Sequence, residues 1–161
     1  LKLVQITIGA LLTMVLSTAE VYKKECYGLV LGTVDKDKYN VMSVAPIQKA
    51  SRDFKEVRPG DWSNIVKKNR GLFGQRILGD YHSHTQYGEA RGGTRLSEED
   101  IASAEHDLIF VIAANDVVKK RKWIGTQTGL ITGTFDLISF SIKVYQTGDK
   151  VVPLPLICPN L

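Results

Sequence analysis

The chain has 161 residues, 43% of them apolar and 24% charged, with a net charge of +4 and a pI near 9.0. Such totals describe one globular domain with one core, spanning 1–161, and exclude a disordered or fibrous chain. The basic residues are scattered. Lys119-Lys120-Arg121-Lys122 is the only tight run and no aromatic platform alternates with it, so no nucleic-acid partner is expected.

Lys2 to Ile8 reads as a strand, with Val4, Ile6 and Ile8 on one apolar face. A helix is expected from Ala10 to Lys23, burying Leu11, Val15, Ala19 and Tyr22. Leu3 to Ala19 carries no charge over 17 positions, short of the ~20 residues a membrane span needs. Gln5, Thr7, Thr13, Ser17 and Thr18 interrupt it, so a core strand and a buried helix are expected and a membrane role is not. Glu25 to Gly32 reads as a buried strand. Gly28 and Gly32 share one of its faces, which predicts close approach of another element. Asn40 to Pro46 returns as its hairpin partner. Gln48 to Arg58 is expected to be a loop. A short helix through Trp62, Ile65 and Val66 follows, with Asp61 as N-cap and Gly71 at its end. Arg76 to His84 is a strand, Ser97 to Glu105 a helix, and Leu108 to Ala114 a fully buried strand. Lys122–Gly125, Leu130–Thr134 and Leu137–Tyr145 complete the strands. The tail, with Pro153, Pro155 and Pro159, is expected to run extended along an edge. Cys26 and Cys158, 132 positions apart, form no Cys-x-x-Cys pair. Both are expected to be reduced, which fits a cytoplasmic protein.

The chemistry concentrates in Gly79-Asp80-Tyr81-His82-Ser83-His84 and Leu96-Ser97-Glu98-Glu99-Asp100. Two of the three histidines stand at i and i+2, so on a strand both imidazoles face the same way. A carboxylate from the next element would complete an N,N,O site of the kind a catalytic zinc uses. Ser97 with its acidic followers also reads simply as a capped helix start. Among Glu98, Glu99 and Asp100, spacing alone does not choose a ligand. Glu25 by its local chemistry is only a strand-end carboxylate. His106, at the negative end of its helix, needs no catalytic role.

Three pieces occur in order: Glu25 ahead of Gly28-Leu29-Val30-Leu31-Gly32, then His82-Ser83-His84, then Ser97-Glu98-Glu99-Asp100. Together they resemble the JAMM motif of the MPN-domain family, in its prokaryotic JAB-like form, from Glu25 to about Ala114. The resemblance implies an α+β domain of MPN (JAB/cytidine-deaminase-like) fold, a curved mixed sheet flanked by helices. It implies one Zn2+ per chain held by His82, His84 and Asp100, with water in the fourth position. Glu25 would hold that water and take its proton, and Ser97 would hydrogen-bond the developing oxyanion. The implied activity is that of a zinc metalloprotease or isopeptidase. It would hydrolyse an amide bond, with a ubiquitin-like or sulfur-carrier protein conjugate as the partner substrate.

Two features depart from the family pattern. Thr85 stands where relatives carry proline after the second histidine, and 12 residues separate His84 from Ser97, more than relatives usually have. The extra residues fall in Gln86 to Arg95, with Gly88, Gly92 and Gly93. They read as a flexible insertion at the rim of the site, a suspected substrate-binding loop. Asp80-Tyr81-His82-Ser83-His84-Thr85 also looks like the first motif of the PHP metal-dependent phosphoesterases. Those enzymes need further histidines on later strands, and only His106 remains. A third alternative is a non-catalytic MPN scaffold, which the presence of all five motif residues disfavours.

Overall fold

The structure is a computed structural model and describes residues 1–47, 51, 52, 57, 58, 64, 68, 71, 72 and 74–161. Strand β1 (Leu3–Ile6) leads straight into helix α1 (Ile8–Glu20). Thr7 caps the helix, its Oγ1 accepting the Ala10 N–H at 3.1 Å, so α1 starts two residues before the expected Ala10. It also ends before the expected Lys23, which sits at φ 75°, outside helical space. Strands β2 (Tyr27–Val34) and β3 (Lys38–Pro46) form the expected hairpin. Two short pairs follow: β4 (Ser51–Arg52) with β5 (Val57–Arg58), and β6 (Gly71–Leu72) with the start of β7 (Gln75–Thr85). The β4–β5 ladder replaces part of the expected 48–58 loop. The rest of that loop lies outside the described residues, as do Asp61, Trp62, Ile65 and Val66 of the expected helix; Asn64 and Lys68, the described residues of that stretch, are helical.

Helix α2 (Glu98–Ala102) is shorter than the expected Ser97–Glu105, and β8 (Leu108–Asp116) extends the buried strand by two residues. Strands β9 (Ile124–Gly125), β10 (Ile131–Phe135), β11 (Ile138–Gln146), β12 (Val152–Leu154) and β13 (Leu156–Ile157) complete the chain. The main sheet has eleven strands in the order β13-β1-β3-β2-β7-β8-β11-β10-β9, with β12 beside β11 and β6 beside β7. β7 and β8 run parallel, as β1 does with β3 and β13, and the other pairs are antiparallel.

The tail does more than line an edge. β12 pairs with the end of β11, and β13, beyond Pro155, pairs with β1. The Pro155 carbonyl also accepts the Val4 N–H at 2.9 Å. The run β1-β3-β2-β7-β8-β11 is therefore curled and nearly closed, like a barrel. This corrects the expectation of helices on the sheet's faces. The helices with described bounds are α1 and the single turn of α2, and Asn64 and Lys68 are the other helical residues among those described; a sheet this curved buries much of its apolar surface against itself. Ala10, Leu11, Met14 and Val15 of α1 join Phe110, Ile112, Phe140 and Ile142 in the main core. Of the four residues that helical spacing marks, Leu11 and Val15 are buried and Ala19 and Tyr22 half-buried, with Tyr22 beyond the helix end, whereas Leu12 and Leu16 stay exposed.

The two glycines of β2 do what their shared face implies. Gly28 pairs with Tyr81 across β2 and β7, and the Tyr81 ring fills the space a Cβ would take. The Tyr81 hydroxyl then lies 2.8 Å from Ser17 Oγ of α1. At Gly32 the Asn40 backbone of β3 makes the close approach. Thr85, the residue in place of proline, is buried, and its Oγ1 has no hydrogen-bond partner among the described residues.

Two substitutions should move stability in opposite directions. Gly28→Val should lower the denaturant midpoint by an amount equal to about 2 kcal/mol, because the Tyr81 ring cannot yield without losing Ser17. Thr85→Val should raise the midpoint by about 1 kcal/mol, because it removes a buried hydroxyl that lacks a partner. A lowered midpoint for Thr85→Val would mean that the hydroxyl is satisfied.

Candidate metal centre

The site is built on β7. Along a strand successive side chains alternate in direction, so His82 and His84 share one face while Tyr81, Ser83 and Thr85 turn to the other. Ser83, the small residue between the histidines, is fully buried. Its Oγ accepts the Cys26 N–H at 2.8 Å, and its own N–H donates to the Cys26 carbonyl at 3.3 Å. That pair of hydrogen bonds between neighbouring strands fixes the start of β2 against β7. Tyr27 pairs with His82, and continuing the same antiparallel register sets Glu25 opposite His84, on the histidines' face. Glu25 is only 7% exposed, not the solvent-facing strand end that its local chemistry suggests.

Asp100 arrives from the first turn of α2, through the capping chemistry read in the sequence. Ser97 Oγ accepts the Asp100 N–H at 3.1 Å, and the Ser97 N–H donates to Asp100 Oδ2 at 2.7 Å. The Ser-x-x-Asp spacing is thus a capping box. It also locks the rotamer of the carboxylate, so the helix-start reading holds and is compatible with Asp100 as a ligand. The place of this turn is set by a small cluster of Ile109, Val111 and Tyr145, against which Leu96 and Ala104 pack. The Tyr145 hydroxyl donates to the Thr94 carbonyl at 2.6 Å, just ahead of it.

The result is a compact donor set. His82 Nε2 and His84 Nε2 lie 3.2 Å apart. Asp100 straddles them, with Oδ1 3.3 Å from His82 and Oδ2 3.4 Å from His84. Among the described residues this is the group of His, Cys, Asp and Glu side chains able to hold a metal ion. Of the three acidic neighbours, Asp100 is the one that reaches the histidines. A tetrahedral zinc with bonds of about 2.0–2.1 Å separates its ligand atoms by roughly 3.3–3.4 Å. The spacing and the N,N,O chemistry of the set both fit.

The charges around the set are mutually adjusted. Burial pushes the His84 pKa down, but the Asp100 hydrogen bond, the Gly93 carbonyl and the Asp100 charge outweigh it and hold it above the usual imidazole value. Burial likewise pushes the Asp100 carboxyl up. The hydrogen bonds from His82 and His84 and the Ser97 N–H overcome that and hold it well below the usual carboxylate range. Asp100 is therefore ionised at any ordinary pH.

The 86–95 segment departs from the flexible rim expected of it. Gln86 Oε1 accepts the Asp116 N–H at 3.0 Å, and Tyr87 and Ala90 close a turn through paired backbone bonds. Arg91 donates to the Asp116 carbonyl at 3.2 Å and to Ser139 Oγ at 3.4 Å. The Gly93 carbonyl lies 2.9 Å from His84 Nδ1. The loop thus borders the metal set itself, a role that its glycines conceal because it is played by backbone. The sequence carries one overlooked signal: Asn115, an amide directly after the seven-residue apolar run Leu108 to Ala114.

Comparison with known proteins agrees with this geometry. Residues 8–124, well over half of the chain, match the family model described as prokaryotic homologs of the JAB domain. No curated protein matches the chain in sequence. The solution structure of a protein from Desulfitobacterium hafniense is similar over 98% of this chain and 94% of its own, at 18% identity and a TM-score of 0.64. The crystal structure of a JAB1/MPN domain protein from Archaeoglobus fulgidus is similar over 95% of this chain and 98% of its own, at 17% identity and a TM-score of 0.50. Some members of such a family are hydrolases. The chain belongs to the prokaryotic JAB-domain family, and its curled sheet is a JAB/MPN fold.

Proposed function

We propose that this domain is a zinc-dependent hydrolase of amide bonds, acting at the C-terminus of a ubiquitin-like or sulfur-carrier protein. The observation that carries the reading is the convergence of His82, His84 and Asp100 on the sheet face that also bears the buried Glu25. Family membership supports it. His82 and His84 would hold the ion through Nε2. Asp100 would use Oδ1, since Oδ2 already accepts the Ser97 N–H. When bound, zinc supplies a Lewis acid that makes water acidic near neutrality and polarises a carbonyl.

The chain's own residues do the remaining work. Glu25, one strand from His84, takes a proton from the attacking water and returns it to the leaving amine nitrogen. Water adds to the carbonyl carbon, the C–N bond breaks, and a carboxylate and an amine leave. Ser97 Oγ accepts the Asp100 N–H, which leaves its O–H as a donor to the carbonyl oxygen as charge develops there. The 86–95 loop at the rim is the segment we assign to substrate contact. The two thiols, both buried and neither in a disulfide, support a reducing, cytoplasmic setting. No described helix is long and apolar enough to cross a membrane.

The test loads the pure protein with zinc and offers a panel of ubiquitin-like conjugates, sulfur-carrier fusions and cell-wall peptides. The wild type should bind about one zinc per chain and cleave one class. His82→Ala should lose the metal. Glu25→Gln should keep it and lose turnover by about 10²–10⁴-fold. An unchanged rate would remove Glu25 from the mechanism. A wild type that binds zinc and cleaves nothing would return the domain to a scaffold role.

A further inference from the structure

Asn115 is the penultimate residue of β8, following seven apolar residues from Leu108 to Ala114, all of them buried, and is itself buried. Counting from the His84–Ala113 pair, it lies two residues further along the histidines' face. A buried amide is tolerated where both of its ends are bonded, and here both are bonded to one residue. Asn115 Oδ1 accepts the Gly92 N–H at 2.7 Å, and Asn115 Nδ2 donates to the Gly92 carbonyl at 3.0 Å. The side chain imitates a neighbouring strand and grips the backbone on both sides of Gly92.

Gly92 is also where the loop meets the site. A Cβ there would run into the His84 carbonyl, so the two backbones touch. The next carbonyl, that of Gly93, then meets His84 Nδ1 at 2.9 Å. A carbonyl can only accept, so His84 Nδ1 carries the proton. In the neutral ring the lone pair is then on Nε2, the atom that faces His82 and Asp100.

We propose that Asn115 is a positioning residue for the metal centre. By clamping Gly92 it holds the Gly93 carbonyl in place, and that carbonyl keeps His84 in the tautomer able to bind an ion. The inference rests on the metal reading above and adds to it a residue outside the recognised motif. An aspartate in its place could accept from Gly92 but not donate to it. A leucine of similar size could do neither.

The test compares wild type, Asn115→Leu and Asn115→Asp by two readouts, with thermal unfolding and backbone amide spectra to confirm the fold. The first is the long-range 1H–15N spectrum of the imidazole rings in zinc-free protein with the rings neutral. The chain has only three histidines, so the His84 signals can be assigned against His84→Ala. The second is the zinc dissociation constant from competition with a chromophoric chelator. The wild type should show His84 as the Nδ1–H form. Asn115→Leu should show a mixture with the Nε2–H form and bind zinc about 10–100-fold more weakly. Asn115→Asp should fall between, and it carries the test if the leucine variant does not fold. A folded variant with the wild-type ring spectrum and zinc affinity would overturn the proposal. A wild type that takes up no zinc would overturn the metal reading itself. The zinc-free ring spectra tell the two failures apart.

Discussion

The bonds between Ser83 and Cys26 hold the arrangement on which the site depends. Ser83 lies inside the sheet, and its hydroxyl and N–H both engage Cys26 at the start of β2. One residue to either side on β7 is a histidine; one residue before Cys26 is Glu25. Because side chains alternate along each strand, the bond on the inner face sets the outer face as well. A slip of one residue between β2 and β7 would send Glu25 inward and place Cys26 opposite a histidine. Tyr81, filling the space left by Gly28 and reaching Ser17 on α1, opposes the same slip by packing.

The third donor of the set is held by a different device. Asp100 stands on a helix of five residues, too short to be stable by its own hydrogen bonds. Its place comes from the capping box at Ser97 and from the apolar contacts of Leu96 and Ala104 with the sheet. The carboxylate is kept ionised between two imidazoles before any cation arrives. Hydrogen-bond protons between Asp100 and the imidazoles hold the three groups together. Metal uptake would replace those protons, which couples ion binding to pH and to the stability of the turn.

The tail gives the sheet its shape. By pairing with β11 on one side of Pro155 and β1 on the other, it joins the two ends of a curled six-strand run. The edges of β1 and β11 that would otherwise be open to foreign strands are covered. Prolines suit this position, since each lacks an N–H and the segment borrows its bonds from one side at a time.

Local regularities were legible in the sequence because their causes lie within a few residues. Period-two alternation put His82 and His84 on one face, spacing marked Leu11 and Val15 as buried, and Ser97 announced a helix start. The paired glycines of β2 correctly announced a close approach, though not that Tyr81 would make it. The resemblance to known motifs named Asp100 and Glu25, which spacing had left among other acidic residues. Tertiary structure decided what depends on partners distant in the chain. It brought Asp100 rather than Glu98 or Glu99 to the imidazoles, buried Glu25 beside β7, and closed the sheet with its own tail instead of helices. It also turned the glycine-rich 86–95 segment from a loose rim into a wall of the site. Glycine records only that backbone is free to bend, and the Asn115 and His84 contacts that use this freedom exist only once β7 and β8 lie side by side.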